Sequence, residues 1–188
     1  LGIVLTTLFL ALSSRLYAQN KAECIEVTFT GNYTDFVFHA TGIELWIDIN
    51  HNGIQDTGEE VLSGEKSVKS ISDRLTPCVL YGKTIEELSI RDTEQPDQIK
   101  KIGLAKASSL RKLFVNGNPI EGILDLKPCT AIEEVRAESS FLEAVDAENC
   151  YSLRELYVSG SPKLKTLNLT DCNRLTHLEA EGCIIENP

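Results

Sequence analysis

Between Ile99 and Cys183 the chain repeats an aliphatic L-x-x-L-x-L beat about every eleven residues. The first slot holds Ile99, Leu110, Glu121, Ile132, Leu142, Leu153, Leu164 and Leu175. The second holds Ile102, Leu113, Leu124, Val135, Val145, Leu156, Leu167 and Leu178. The third holds Leu104, Val115, Leu126, Ala137, Ala147, Val158, Leu169 and Ala180. Glu121 alone breaks the pattern, and Ile120 beside it can take its place. A chain that is 42% apolar would fill fewer than half of these slots by chance. One such unit cannot bury its apolar face alone, whereas stacked units share a continuous core. The beat therefore predicts a mainly β solenoid over residues 83–188, an architecture used more for binding than for catalysis.

An eleven-residue unit is too short for a full leucine-rich coil of 20–29 residues, so two units should make one coil. The position three residues past the third slot supports this pairing. Alternate units give Ala107, Cys129, Cys150 and Cys172 in one phase, and Asn118, Ser140, Ser161 and Cys183 in the other. Small polar side chains there can satisfy backbone groups that the turn would otherwise bury unpaired. With its two phases, the repeat resembles the leucine-rich repeat family, and most of all the internalin-type surface proteins of the Bacteroidetes. The resemblance covers about half the chain. It implies a secreted or surface-attached protein, displayed outside the outer membrane, that binds a protein or glycan in adhesion, host contact or biofilm formation.

The segment before the repeats reads differently. Leu1 to Leu12 is an apolar run, followed by Ser13, Ser14 and Arg15, with Leu16-Tyr17-Ala18 as a cleavage site. That pattern predicts a signal peptide over 1–18, since a dozen apolar residues are too few to span a bilayer. No membrane insertion of the mature chain is expected. The chain begins with Leu, contains no methionine and stops directly after a repeat unit, so a longer parent protein is expected. Residues 19–82 read as a small β-rich module. Cys24–Phe29 and Tyr33–Ala40 flank Gly31-Asn32 as a hairpin, with further strand-like runs at 43–49, 67–71 and 78–81. Ile85, Leu88 and Ile90 already carry the repeat spacing, so 83–98 reads as a first, irregular solenoid turn with an insertion at 93–96.

Asp48 to Glu59 matches D-x-[DN]-x-[DN]-G-x5-E in full. Oxygens of Asp48, Asn50 and Asn52 would converge on one calcium ion as the loop curls. Gly53 would permit the turn, the Ile54 carbonyl would follow, Asp56 would act through water and Glu59 would close the site. No helix pattern flanks the loop. It resembles instead the calcium-type loops of β-rich extracellular modules on bacterial surface proteins, for which weak binding of about 10⁻⁴–10⁻³ M is expected.

Disulfides are permitted in an exported chain. Cys24 and Cys78 bracket the β module and are expected to bridge, which would contribute about 4 kcal/mol on the chain-entropy model. Cys129, Cys150 and Cys172 are expected to remain free and to stack one strand apart. Zinc is not expected, because no C-x-x-C occurs and His39, His51 and His177 join no ligand set.

One outward residue per unit lies between the second and third slots. In the Asn/Ser phase these are Phe114, Arg136, Tyr157 and Glu179, which should stack with Arg136 between two rings. Lys112 and its counterparts Glu134, Glu155 and His177 flank them. Aromatic residues and Arg dominate protein interfaces, so Lys112, Phe114, Arg136, Tyr157 and Glu179 form the candidate partner-binding face. The net charge of -10, with no Lys/Arg cluster, argues against a nucleic-acid partner. No P-loop, G-x-S-x-G, H-E-x-x-H or dinucleotide fingerprint occurs, and no enzyme is expected. The alternative reading is a structural spacer, or an accessory region of a larger secreted protein or hydrolase.

Overall fold

The computed structural model describes residues 22–29, 35–49, 52–56, 59, 64–69, 78–90 and 99–186. The expected signal segment 1–18, the insertion at 93–96 and Asn50 lie outside the described residues. Among the described residues the chain is all strand and turn, with no helix. The first part supplies β1 (Glu23–Phe29), β2 (Asp35–Ile43), β3 (Trp46–Asp48), β4 (Gly64–Lys69), β5 (Cys78–Gly82) and β6 (Thr84–Ser89). The repeats supply β7 (Ile99–Lys106), β8 (Lys112–Phe114), β9 (Glu121–Asp125), β10 (Glu134–Arg136), β11 (Phe141–Asp146), β12 (Glu155–Tyr157), β13 (Thr166–Asn168) and β14 (His177–Glu179).

From β8 onward the repeat strands alternate between two sheets and pair in parallel within each. One runs β14-β12-β10-β8-β6-β2-β4 and the other β13-β11-β9. Leu113, Val135, Leu156 and Leu178 stand in register on the first, and Leu124, Val145 and Leu167 on the second. Two consecutive units thus make one coil, as the two phases require. The inward slots are fully buried through the middle of the stack, from Leu110 to Val158 in the Asn/Ser phase. Ile120, 1% exposed, occupies the slot that Glu121 leaves. Burial fades in the last coil, where Leu178 is 43% exposed.

The turns explain the side-chain columns. Cys129, Cys150 and Cys172 sit between two tight turns, donating their N–H to the residue three back and accepting from the residue three on. They are buried, and only a small side chain fits there. The Sγ of Cys150 donates to the Leu126 carbonyl at 3.4 Å, and that of Cys172 to the Ala147 carbonyl at 3.1 Å, one coil back. The other column pairs polar atoms: Ser140 and Ser161 hydroxyls lie 2.8 Å apart. Asn118 reaches further, as described below. A further column emerges at Gly117, Ser139, Gly160 and Gly182, all with φ between 57° and 75°. A left-handed residue in each coil turns the chain out of the sheet, which favours glycine and leaves Ser139 strained.

The first part of the chain closes the start of the stack. β6 pairs parallel with β8, placing Leu88 beside Leu113, so the solenoid spacing at Ile85 does begin the stack. The seven-stranded sheet continues past β6 into antiparallel β2 and β4. On the other side, β1 pairs antiparallel with β7 in a four-stranded sheet of order β3-β5-β1-β7. The expected hairpin between the first two strands therefore does not form. β1 and β2 extend different sheets, β1 beside β7 and β2 beside β6. One core, from Ile25 to Cys172, runs through all of it.

The expected Cys24–Cys78 bridge is also absent, and all six cysteines are free. Cys24 stands opposite Tyr81, whereas Cys78 stands opposite Val27. The two are an odd number of positions out of step, so their side chains leave opposite faces of the sheet. A disulfide needs its two Cα atoms within about 7 Å and side chains directed at each other. Burial pushes the thiols of Cys78, Cys129 and Cys150 up to about 12, which keeps them protonated and inert at neutral pH.

Candidate functional site

The outward face of the seven-stranded sheet is built by register. Alternation along each short strand turns one residue on either side of the buried Leu or Val outward. Parallel pairing then stacks Lys112, Glu134, Glu155 and His177 in one column, and Phe114, Arg136, Tyr157 and Glu179 in the next. β6 extends both columns with Glu87 and Ser89. The expected face residues are therefore all brought together.

Arg136 is the centre of the ladder. Its guanidinium carbon lies 3.9 Å from the Tyr157 ring centroid and 5.9 Å from that of Phe114. Its Nε donates to Glu134 at 2.8 Å, which raises its pKa further and fixes its plane. Lys112 stands 4.0 Å from the same carboxylate. The Tyr157 hydroxyl donates to Glu155 at 2.8 Å, and this bond pushes its pKa up. The His177 ring packs on Tyr157 with centroids 5.1 Å apart, and His177 Nε2 meets Glu179 at 2.9 Å. These ion pairs are exposed or half-buried, and each is worth about 1 kcal/mol or less. Held together, they fix the side chains in place. The arrangement presents rings, one guanidinium and several carboxylates.

The opposite sheet carries a different set. Asp125 and Asp146 are register partners, and Lys127 pairs with both. The hydrogen bond from Lys127 holds the Asp146 carboxyl below its ordinary range. Lys100 pairs with Glu121, and Lys163 lies 5.1 Å from the Phe141 ring centroid. Ile123 is 64% exposed.

The calcium-type loop leaves the end of β3. Asp48 is 1% exposed and Glu59 4% exposed. All four of their carboxylate oxygens accept backbone N–H groups. Asp48 takes those of Asn52 at 3.1 Å and Gly53 at 2.7 Å, and Glu59 takes those of Ile49 at 3.0 Å and Asp56 at 2.8 Å. Asn52 Oδ1 accepts from Ile54 N at 2.7 Å, and Asn52 Nδ2 donates to Asp56 at 2.9 Å. Ile47 N donates to the Glu59 carbonyl at 2.9 Å and ties the two ends of the loop together. These bonds fold the described part of the loop back on itself. Among the described residues, no three His, Cys, Asp or Glu side chains stand together as a ready ligand cage. Among the same residues, no helix is long and apolar enough to cross a membrane.

One interaction without any signature in the sequence joins the first strand to the stack. The Glu23 carboxylate, 8% exposed, accepts Ile85 N–H at 2.8 Å, Ser108 O–H at 2.6 Å and Ser109 N–H at 2.6 Å. Comparison with protein-family models, curated proteins and solved structures gives no match.

Proposed function

We propose that this chain is a leucine-rich repeat binding protein, exported to the cell surface or medium, that engages a protein or glycan through the outward face of its seven-stranded sheet. The observation that carries this reading is the ladder of Phe114, Arg136 and Tyr157, stacked strand over strand and held by Glu134 and Glu155. Prearranged aromatic and Arg side chains lose little freedom on binding and are the usual energetic centres of interfaces. The 21–22-residue coil and its Asn or Cys turn column support the leucine-rich repeat assignment. Recognition, not catalysis, is the proposed role.

The test is a binding screen against extracellular matrix proteins and an oligosaccharide array. The combined variant Phe114→Ala, Arg136→Ala, Tyr157→Ala should bind its partner at least about 100-fold more weakly, since single hot-spot truncations cost about 2 kcal/mol each. Its melting temperature should stay within a few degrees of the parent, because these side chains lie outside the core. A matched variant on the other sheet, Ile123→Ala with Phe141→Ala, should bind as the parent does. Undiminished binding by the first variant would discard the face.

The loop from Asp48 to Glu59 is proposed as a weak calcium site, held by Asp48, Asn50, Asn52, the Ile54 carbonyl, Asp56 and Glu59. Two buried carboxylates in a curled, motif-matching loop support it, and each of their oxygens keeps a lone pair beyond its one N–H. The acidic side chains must draw closer to form a cage, which fits an affinity of about 10⁻⁴–10⁻³ M. Bound calcium would neutralise these carboxylates and order the loop. At 1 mM calcium and a Kd of about 10⁻⁴ M the gain is about 1.4 kcal/mol, or about 3–5 °C in Tm. Scanning calorimetry with calcium, magnesium and chelator checks this. No calcium-specific rise, or an equal rise in Asp48→Asn, would remove the site.

A further inference from the structure

We infer that the occupant of the seven-stranded face is an extended, Lys/Arg-rich protein segment; this rests on the binding-face reading above and names its partner chemistry. Charge complementarity points to this occupant. The two cations on the face, Lys112 and Arg136, both spend their charge on Glu134. Among the described residues, Glu138, Glu155 and Glu181 join no ion pair. Glu155 receives only the Tyr157 phenol, which leaves its charge intact. Glu138, two residues past Arg136, has a buried Oε2 without a hydrogen-bond partner, so it adds negative charge to this face rather than an exposed acceptor. The face therefore holds a surplus of carboxylates awaiting donors.

The opposite sheet is the internal control. There Glu121 pairs with Lys100 and one Lys127 spans Asp125 and Asp146, while Glu143 on β11 joins no ion pair among the described residues. Among the described residues the seven-stranded face leaves more of its carboxylates without an ion pair, in a chain whose net charge is -10. An anionic partner would be repelled there. A neutral sugar needs an open ring face to stack on. The Tyr157 ring instead has Arg136 on one side and His177 on the other. What remains outward is a row of carboxylates beside apolar ring edges. Lys and Arg side chains suit that pairing, with charged heads on the carboxylates and methylene stems along the rings. From β6 to β14 the ladder spans about 19 Å, the reach of about six extended residues.

The probe is a fluorescein-labelled nonapeptide of alternating Lys and Ser, titrated by anisotropy against the full chain. Binding should weaken at least 10-fold in Glu155→Gln/Glu179→Gln/Glu181→Gln, and should fall steeply between 50 and 300 mM NaCl. It should not change in Glu121→Gln/Asp125→Asn on the other sheet. Melting curves confirm that each variant is folded. No binding of the peptide, or equal binding by the first variant, overturns the inference. A Glu/Ser peptide or a neutral hexasaccharide bound in its place, and lost in the Phe114/Arg136/Tyr157 alanine variant, overturns the cationic segment while leaving the face standing. If that alanine variant keeps every probe that binds, the face itself falls.

Discussion

Asn118→Ala is expected to destabilise the protein by about 3 kcal/mol or more, from about 1–3 kcal/mol for each buried group left unpaired. Asn118 is 4% exposed and uses both ends of its amide. Oδ1 accepts Ile99 N–H at 3.0 Å, and Nδ2 donates to the carbonyls of Val115 at 3.0 Å and Ile90 at 3.2 Å. It thereby ties the end of the irregular first turn to the start of the regular stack. Ser140 and Ser161, at the same position in later coils, need only reach each other. The longer amide is required where the coil is not yet regular. Asn118→Asp should fare no better at neutral pH, because a carboxylate cannot donate to the two carbonyls. Urea unfolding of both variants measures this. A loss below about 1 kcal/mol would mean that water replaces the amide, contrary to the packing described.

Glu23→Ala should cost a similar amount, about 3–5 kcal/mol, since hydrogen bonds to a charged group contribute about 1.5–3 kcal/mol each. Oε1 serves Ser108 and Ser109, and Oε2 serves Ile85. Truncation leaves the fully buried Ile85 with an unpaired N–H. It also unfastens β1 from β6 and from the first turn after β7. Glu23→Gln keeps one acceptor oxygen and turns an NH₂ toward a donor, so it should lose roughly half as much. The unfolding free energies of Glu23→Gln and Glu23→Ala against the parent check the order. Equal stability of all three would show that β1 is held by sheet pairing alone.

The repeats were legible and the start of the chain was not, and the physical reason is the same for both. A coil that must stack on its neighbours writes each requirement at a fixed interval. The Leu/Val slots, the Cys and Ser columns, and the Phe114–Arg136–Tyr157 ladder could therefore be read as columns. The column at Gly117, Ser139, Gly160 and Gly182 was equally periodic, yet Ser139 hid it among ordinary loop glycines. Nothing repeats in the strands that close the stack. The alternation in β1 and β2 marks each as half-buried, but not which neighbour each one takes. β1 and β2 join different sheets, so the expected hairpin is absent, and the odd register offset between Cys24 and Cys78 on the paired β1 and β5 keeps the expected bridge from forming. Glu23 reaches residues more than sixty positions away, a single contact with no period to betray it. The Asp48–Glu59 loop lies between these cases: its motif marks the position of a turn, while the backbone bonds of Asp48 and Glu59 have no signature in the spacing.

The account rests on consecutive units lying on opposite sheets, with alternate units in register. Paired cysteines measure this directly. Glu134 and Glu155 are register partners on adjacent parallel strands, at a spacing of about 5 Å that suits a disulfide. Glu134 and Ala144 hold the same place in consecutive units, on β10 and β11 in different sheets. Under mild oxidation Glu134→Cys/Glu155→Cys should bridge nearly completely, as mapped by peptide mass spectrometry, and Glu134→Cys/Ala144→Cys should not. Efficient bridging of the second pair and not the first would mean a single-sheet stack of eleven-residue units. It would contradict both the fold and the face drawn from it.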